Sequence, residues 1–212
     1  DTVLYPAVAY PTYEMGAVLA GCRAVPVPLS ADWHLDLSAV SDADAERALV
    51  LWCNEPGNPT SSVADDASFD RTTAWAREWG VIVASDECYV EFAPEPASVL
   101  RAGRESVLAV HSLSKRSNMA GMRVGFYAGD SDLVGYLVET RKHMGMMVPS
   151  AVQAAAVAAL RDDEHVAQQR ARYEERRSLV ASRLAAHGLV HDGGPCTFYL
   201  WLRSETGAVD GW

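Results

Sequence analysis

Short, dense apolar runs alternate along the chain with longer stretches in which apolar residues return every three to four positions. Residues 2–5, 22–29, 48–53, 81–85, 107–110 and 124–128 are of the first kind, bounded by glycine, proline or polar residues, and are expected to be strands. Residues 12–21, 65–79, 132–143, 149–160 and 162–187 are of the second kind and are expected to be helices. Thr12 is placed to cap the first helix. In the second, Phe69, Thr73 and Ala76 share one side and Gly80 stops the last turn. Pro149 suits the first turn of an alanine-rich helix, and Gly188 ends the long charged one.

This alternation predicts an α/β fold, a mainly parallel sheet covered by helices. Pro26 and Pro28 weaken the end of the second strand, and 30–41 is polar with isolated anchors at Trp33 and Leu35, so irregular structure is expected there. Asn54-Glu-Pro-Gly-Asn-Pro-Thr60 can continue neither helix nor strand. Beyond Gly188, residues 189–190 and 197–202 read as strands of a new unit. Residues 1–182 are therefore expected to form a large domain and 183–212 the beginning of a small one. The chain opens on a strand with no cap or initiator methionine before it, and it stops at Trp212 inside the new unit; both ends predict a piece of a longer protein.

Composition narrows the function classes. With 212 residues, 49% of them hydrophobic, the chain can bury a substantial core. A net charge of -10, with no basic run, argues against nucleic acid and for small-molecule chemistry. Cys22, Cys53, Cys88 and Cys196 are widely spaced and show neither a metal-ligand pattern nor a disulfide framework, so a reducing, cytoplasmic setting is expected. No apolar run has the length of a membrane span. The alternating arginines and glutamates of 170–183 read as a solvated helix face without chemistry.

Candidate chemistry gathers at Lys115. The run 107–110 ends at Ser112-Leu-Ser-Lys115, and Gly121 and Arg123 follow. A lysine on a turn is ordinarily a solvated charge. Here hydroxyls stand three and one residues before it and a guanidinium eight residues after it, a donor set suited to a phosphate. An amine beside a phosphate site points to a phosphorylated aldehyde cofactor. Asn58 and Asp86 also stand where expected strands run out, the usual place for ligands in open α/β sheets.

These segments resemble class I/II aminotransferases, the fold type I pyridoxal phosphate enzymes, in three ordered motifs. Ser112-x-Ser-Lys115 followed by Gly121-x-Arg123-x-Gly125 is similar to the Schiff-base lysine segment, Asn54-x-x-x-Asn58-Pro-Thr60 to the family's N-P-x-N-P-T-G, and Asp86-x-x-Tyr89 to its D-x-x-Y. Ser61 stands for the motif's glycine and Glu55 for its first proline. The resemblance implies the large domain of that fold, with pyridoxal 5'-phosphate as cofactor and Lys115 as its imine partner and proton carrier. It implies that Asp86 pairs with the pyridine nitrogen, and that Asn58 and Tyr89 hold the phenolic oxygen. It further implies that Ser112, Ser114 and Arg123 hold the phosphate and that Tyr10 stacks on the ring. Amino acid and 2-oxo acid substrates and a homodimer follow as family expectations, with 142–150 a candidate contact.

Within the family, Ala9-Tyr-Pro-Thr-Tyr-Glu-Met-Gly16 and Arg141-Lys-His-Met-Gly-Met-Met-Val-Pro-Ser150 look most like actinobacterial succinyldiaminopimelate aminotransferases of lysine biosynthesis. A general aspartate or aromatic aminotransferase is the alternative enzyme, and a cofactor-binding regulator domain without turnover is the alternative class. The family's earlier phosphate loop and late carboxylate-binding arginine fall outside these residues, so 1–212 alone is expected not to transaminate.

Overall fold

A computed structural model describes residues 1–205. Strand β1 (Thr2–Pro6) leads through α1 (Thr12–Leu19) to β2 (Arg23–Val27), and the short α2 (Asp42–Ala45) precedes β3 (Ala48–Asn54). Helix α3 (Asp66–Trp79) connects β3 to β4 (Ile82–Asp86), and β5 (Val107–Ser112) runs directly into the one-turn α4 (Leu113–Arg116). Then come β6 (Gly125–Gly129), α5 (Ser131–His143), α6 (Ser150–Leu160) and α7 (Glu164–Ala185), followed by β7 (Leu189–His191) and β8 (Leu202–Ser204).

The main sheet has the order β2-β1-β3-β4-β5-β6, parallel throughout except for the antiparallel pair β5 and β6. Its central strands carry Leu4, Leu51, Val83, Val107 and Ala109, all in one buried cluster with Phe69 and Ala76 from α3. Helix α3 forms because its apolar stripe has helical spacing and both ends are closed. The Asp65 carboxylate accepts from Ser68 N at 2.7 Å, and Gly80 takes the left-handed conformation that ends it. Such a cap contributes about 1 kcal/mol, and full burial of a side chain like Phe69 about 1.5 to 3 kcal/mol. A second, smaller cluster packs α6 through Ala156 against Leu113 of α4 and Val124.

Several expectations need correction. Thr12 is the first helical residue rather than the cap; Pro11 takes that position and starts the helix through its fixed φ of -60°, without a side-chain bond. Pro149 likewise sits just before α6 rather than in its first turn. The turn at Ser112-Lys115 is a helical turn, capped by Ser112. The strand expected over 197–202 is confined to β8, which pairs antiparallel with β7 in a separate two-stranded sheet. Ahead of it the chain is held on the 60–61 loop instead: Gly194 N donates to Thr60 O and Cys196 N to Ser61 O. The arginines of 170–183 are not all solvated. The Arg177 guanidinium is half-buried and donates to the carbonyls of Gly194, Pro195 and Cys196, and burial lowers its pKa. Of the residues expected to begin a small domain, 206–212 lie outside the described residues.

Candidate active site

The register of the sheet brings the three motif segments to one rim. Asn54, the last residue of β3, pairs with Asp86, the last residue of β4, and Asp86 pairs with Val110 of β5. Two residues further on, Ser112 closes β5 and caps α4, which carries Lys115. Neighbouring strands lie about 4.8 Å apart, so Asp86 stands one strand from the root of the Asn58 loop and one strand from the lysine segment.

Both oxygens of Asp86 are held. Oδ2 accepts from the hydroxyl of Tyr13 at 2.8 Å and Oδ1 from Cys88 N at 3.1 Å. Tyr13 is buried on the first turn of α1, its ring tilted against Trp52 at 5.1 Å. Burial first, and then the Asp86 charge, push the Tyr13 hydroxyl well up, so it stays protonated and donates. Tyr13 is absent from the sequence reading. The available signal is that it stands one helical turn after Tyr10, on a helix that begins at the carboxyl end of β1.

Asn54 ties the next loop to the same rim. Its side-chain amide donates to Asp86 O at 3.1 Å, and its Oδ1 accepts from the backbone N–H of Asn58 at 2.8 Å. Asn58 is half-buried and Tyr10 is exposed (54%) in the loop between β1 and α1, its ring free to meet a planar ligand.

Tyr89 is buried, and its hydroxyl lies 2.8 Å from that of Tyr199. Burial pushes its pKa up and keeps the phenol protonated. Lys115 Nζ stands 5.9 Å from the ring centre of Phe198. Between Asp86 and Tyr89, the Cys88 thiol is pushed up by burial and by Asp86, against an opposite pull from Ser112 and Lys115. Phe198 and Tyr199 are also missed by sequence reasoning, because a strand reading of 197–202 gives no reason to bring them back to the rim.

Arg116, next to Lys115, fixes α4 in place. It is buried, pairs with Glu91, and donates to Ala159 O at 2.7 Å and to Asp163 Oδ1 at 2.8 Å. The lysine's backbone is therefore anchored to the end of α6 and the turn after β4.

The phosphate candidates come together elsewhere on the rim. Ser112, Ser114 and Arg123 line one open cavity of about 1220 Å³, whose wall includes Phe126, Met146 and Val157. Arg123 is exposed, at a φ of +51°, and donates to Ala120 O at 3.0 Å. The cavity wall does not include Asn58, Asp86, Tyr89 or Lys115; strand register places Asp86 on the same rim, and Asn54 ties the Asn58 loop to it. As a donor set the residues suit a phosphorylated pyridine aldehyde. A fixed carboxylate suits a pyridinium N–H, a protonated phenol suits a phenolate oxygen, and hydroxyls with a guanidinium suit a phosphate.

A parallel sheet with a single antiparallel strand brings a lysine segment, a carboxylate and a set of hydroxyls with a guanidinium to its rim, a place where such sheets hold ligands. The model of the class I and II aminotransferases matches residues 1–207, and the chain belongs to that pyridoxal phosphate-dependent family. It is 44% identical over 208 residues to a Mycobacterium tuberculosis protein named "Probable aminotransferase", covering 95% of this chain and 47% of that protein. It is 41% identical over 208 residues to the 4-dedimethylamino-4-oxo-anhydrotetracycline transaminase of Streptomyces rimosus, covering 95% and 55%. Among solved structures, the "probable N-succinyldiaminopimelate aminotransferase" of Thermus thermophilus superposes with a TM-score of 0.89 at 32% identity, covering 98% of this chain and 58% of that one. The chain spans about half the length of the curated relatives it matches. Among the described residues no helix is long and apolar enough to cross a membrane.

Proposed function

We propose that the protein to which these residues belong transfers an amino group between an amino acid and a 2-oxo acid, with Lys115 as the covalent attachment point of pyridoxal phosphate. The observation that carries this reading is the Asp86 carboxylate, fixed by Tyr13 and Cys88 N, one strand away from the lysine segment. When bound, the cofactor supplies an electron sink for the carbanion at the substrate's α-carbon. Asp86 holds a proton on the ring nitrogen and so keeps that sink cationic. Asn58 and Tyr89 would donate to the cofactor's phenolic oxygen, Ser112, Ser114 and Arg123 would hold its phosphate, and Tyr10 would stack on its ring. With the cofactor bound, Lys115 Nζ would be the group that takes and returns the proton at the substrate's α-carbon, as general base and acid.

For the substrate we favour N-succinyl-diaminopimelate with 2-oxoglutarate and glutamate, in lysine biosynthesis; the likeness to the Thermus protein supports this. A homodimer in the cytoplasm, with a large domain to residue 182 and a small one from 183, completes the reading. The separate β7 and β8 sheet supports a second unit, and α7, which runs on to Ala185, crosses the point of division.

The test uses the full-length protein with pyridoxal phosphate bound. Borohydride reduction and peptide mapping should place a phosphopyridoxyl group on Lys115. A label on Lys142 with Lys115 unmodified would overturn the assignment. Succinyldiaminopimelate should exceed aspartate, phenylalanine and a tetracycline ketone in kcat/KM. A preference for one of those three would replace the substrate and leave the site standing.

A further inference from the structure

The hydroxyl of Tyr199 faces that of Tyr89 at 2.8 Å, and their rings meet edge to face at 5.7 Å. A phenol has one proton to give. If Tyr89 gives its proton to the cofactor, its oxygen is left to accept, and Tyr199 is the donor in place. Resting on the cofactor reading above, we propose that Tyr199 is a positioning residue, whose hydroxyl donates to Tyr89 so that the Tyr89 proton is directed at the cofactor's phenolic oxygen.

The chain builds a latch to hold Tyr199 there. Ser61 is fully buried and Thr197 nearly so, and both have a φ of +60°, a conformation that costs a side-chain-bearing residue. Their hydroxyls lie 2.7 Å apart. Thr197 Oγ1 accepts from Tyr199 N at 3.1 Å, and Ser61 Oγ reaches Tyr199 O at 3.4 Å. The backbones are pressed together as well: Gly194 N donates to Thr60 O at 2.8 Å, and a Cβ on Gly194 would stand 1.9 Å from Ser61 O. Only glycine permits that approach.

Ser61 is the position where the N-P-T-G motif has glycine. A glycine would take this φ without strain but would bring no hydroxyl. Serine accepts the strain and gains the bond to Thr197. The departure from the motif therefore joins the loop that carries Asn58 to the segment that carries Tyr199, so the two donors assigned to the phenolic oxygen are set by one contact. Chained donors polarise one another, and Tyr199 strengthens the Tyr89 donation.

The measurement is the pH midpoint of the visible absorbance of the Lys115-linked cofactor in the full-length protein, together with amide hydrogen exchange of 57–62 without cofactor. Tyr199→Phe keeps the ring and removes the donor, and should raise the midpoint by roughly 0.3 to 1 unit. Thr197→Val and Ser61→Gly should shift it the same way and speed exchange of 57–62, which Tyr199→Phe should leave unchanged. The pair Ser61→Gly with Tyr199→Phe should shift the midpoint by less than the sum of the two single shifts. A midpoint within about 0.1 unit of the parent in Tyr199→Phe, while Tyr89→Phe does shift it, would overturn the proposal alone. Failure of Lys115 to take the borohydride label would instead overturn the cofactor reading on which it rests.

Discussion

Tyr13→Phe removes one hydroxyl and with it the 2.8 Å donation to Asp86, while the ring can remain on Trp52. A hydrogen bond to a charged partner contributes about 1.5 to 3 kcal/mol, against about 0.5 to 1.5 kcal/mol for a neutral pair. Asp86 keeps its bond from Cys88 N, so the low end applies, and the full-length protein should lose roughly 1.5 to 2 kcal/mol of stability. The effect on turnover arises separately. With one anchor left, the carboxylate can rotate about its remaining bond and no longer meets the ring nitrogen in a single geometry. Loss of 1.4 to 2 kcal/mol of transition-state stabilisation corresponds to a fall in kcat/KM of about 10- to 30-fold. Urea denaturation followed by circular dichroism measures the first quantity, and the half-reaction with amino donor measures the second. Lower stability with kcat/KM within about twofold of the parent would show that Tyr13 only packs, and that Asp86 is positioned without it.

Asp86→Ala should leave a folded protein that still binds cofactor but loses about 3 to 4 kcal/mol of barrier lowering; a fall in turnover of less than about tenfold would exclude Asp86 as the ring-nitrogen partner. Arg116→Lys should lower stability by about 1 to 3 kcal/mol, because an ammonium cannot reach Glu91, Asp163 and the Ala159 carbonyl together; an unchanged urea midpoint would contradict the anchoring of α4. Glu55 is buried, 3.6 Å from His34; burial pushes its pKa up, and the nearby Glu55 carboxylate raises that of His34. The native pair holds its protons more tightly than the unfolded chain, so its stabilisation is complete at low pH and is lost as pH rises through the raised folded values. Stability should therefore decline as pH rises beyond the ordinary carboxylate and imidazole values, and Glu55→Gln should flatten that decline; an equal slope in the variant would show that another group titrates.

Much of the architecture was legible because periodicity and punctuation agree. The α3 segment shows it best, where the stripe of Phe69, Thr73 and Ala76 and the stop at Gly80 say the same thing; Asp65, the first residue of the expected helix, is its cap instead. Lys115, Asp86 and the Asn58 loop were legible for a related reason, as polar residues at the ends of apolar strands. What escaped was contact between segments far apart in the chain. Tyr13 reaches Asp86 across 73 positions, and Tyr199 reaches Tyr89 across 110. Neither periodicity nor local propensity carries such information. The strand reading of 197–202 failed on the same account: apolar, aromatic residues suit a ladder, but the hydroxyls of Ser61 and Thr197 and the bare backbone of Gly194 offered closer partners. Arg177 looked solvated because its neighbours are charged, and only the folded chain shows three carbonyls turned toward it.

Strand β6 runs against its neighbours, and this direction decides who meets whom at the phosphate cradle. Ser112 at the exit of β5 pairs with Gly125 at the entrance of β6, and Arg123 stands two residues ahead of that entrance. Had β6 been parallel, the residues leading into it would lie at the far end of β5, a six-residue strand and so roughly 20 Å away. The hairpin thus acts as a ruler, measuring the distance from serine to arginine in backbone rungs rather than in side-chain reach. Side chains alternate between faces along a strand, so losing one residue within 117–122 could slide the ladder by a rung and turn every β6 side chain to the opposite face. At this corner the length of the chain is itself a specificity element, more exacting than the identity of most residues that make it up.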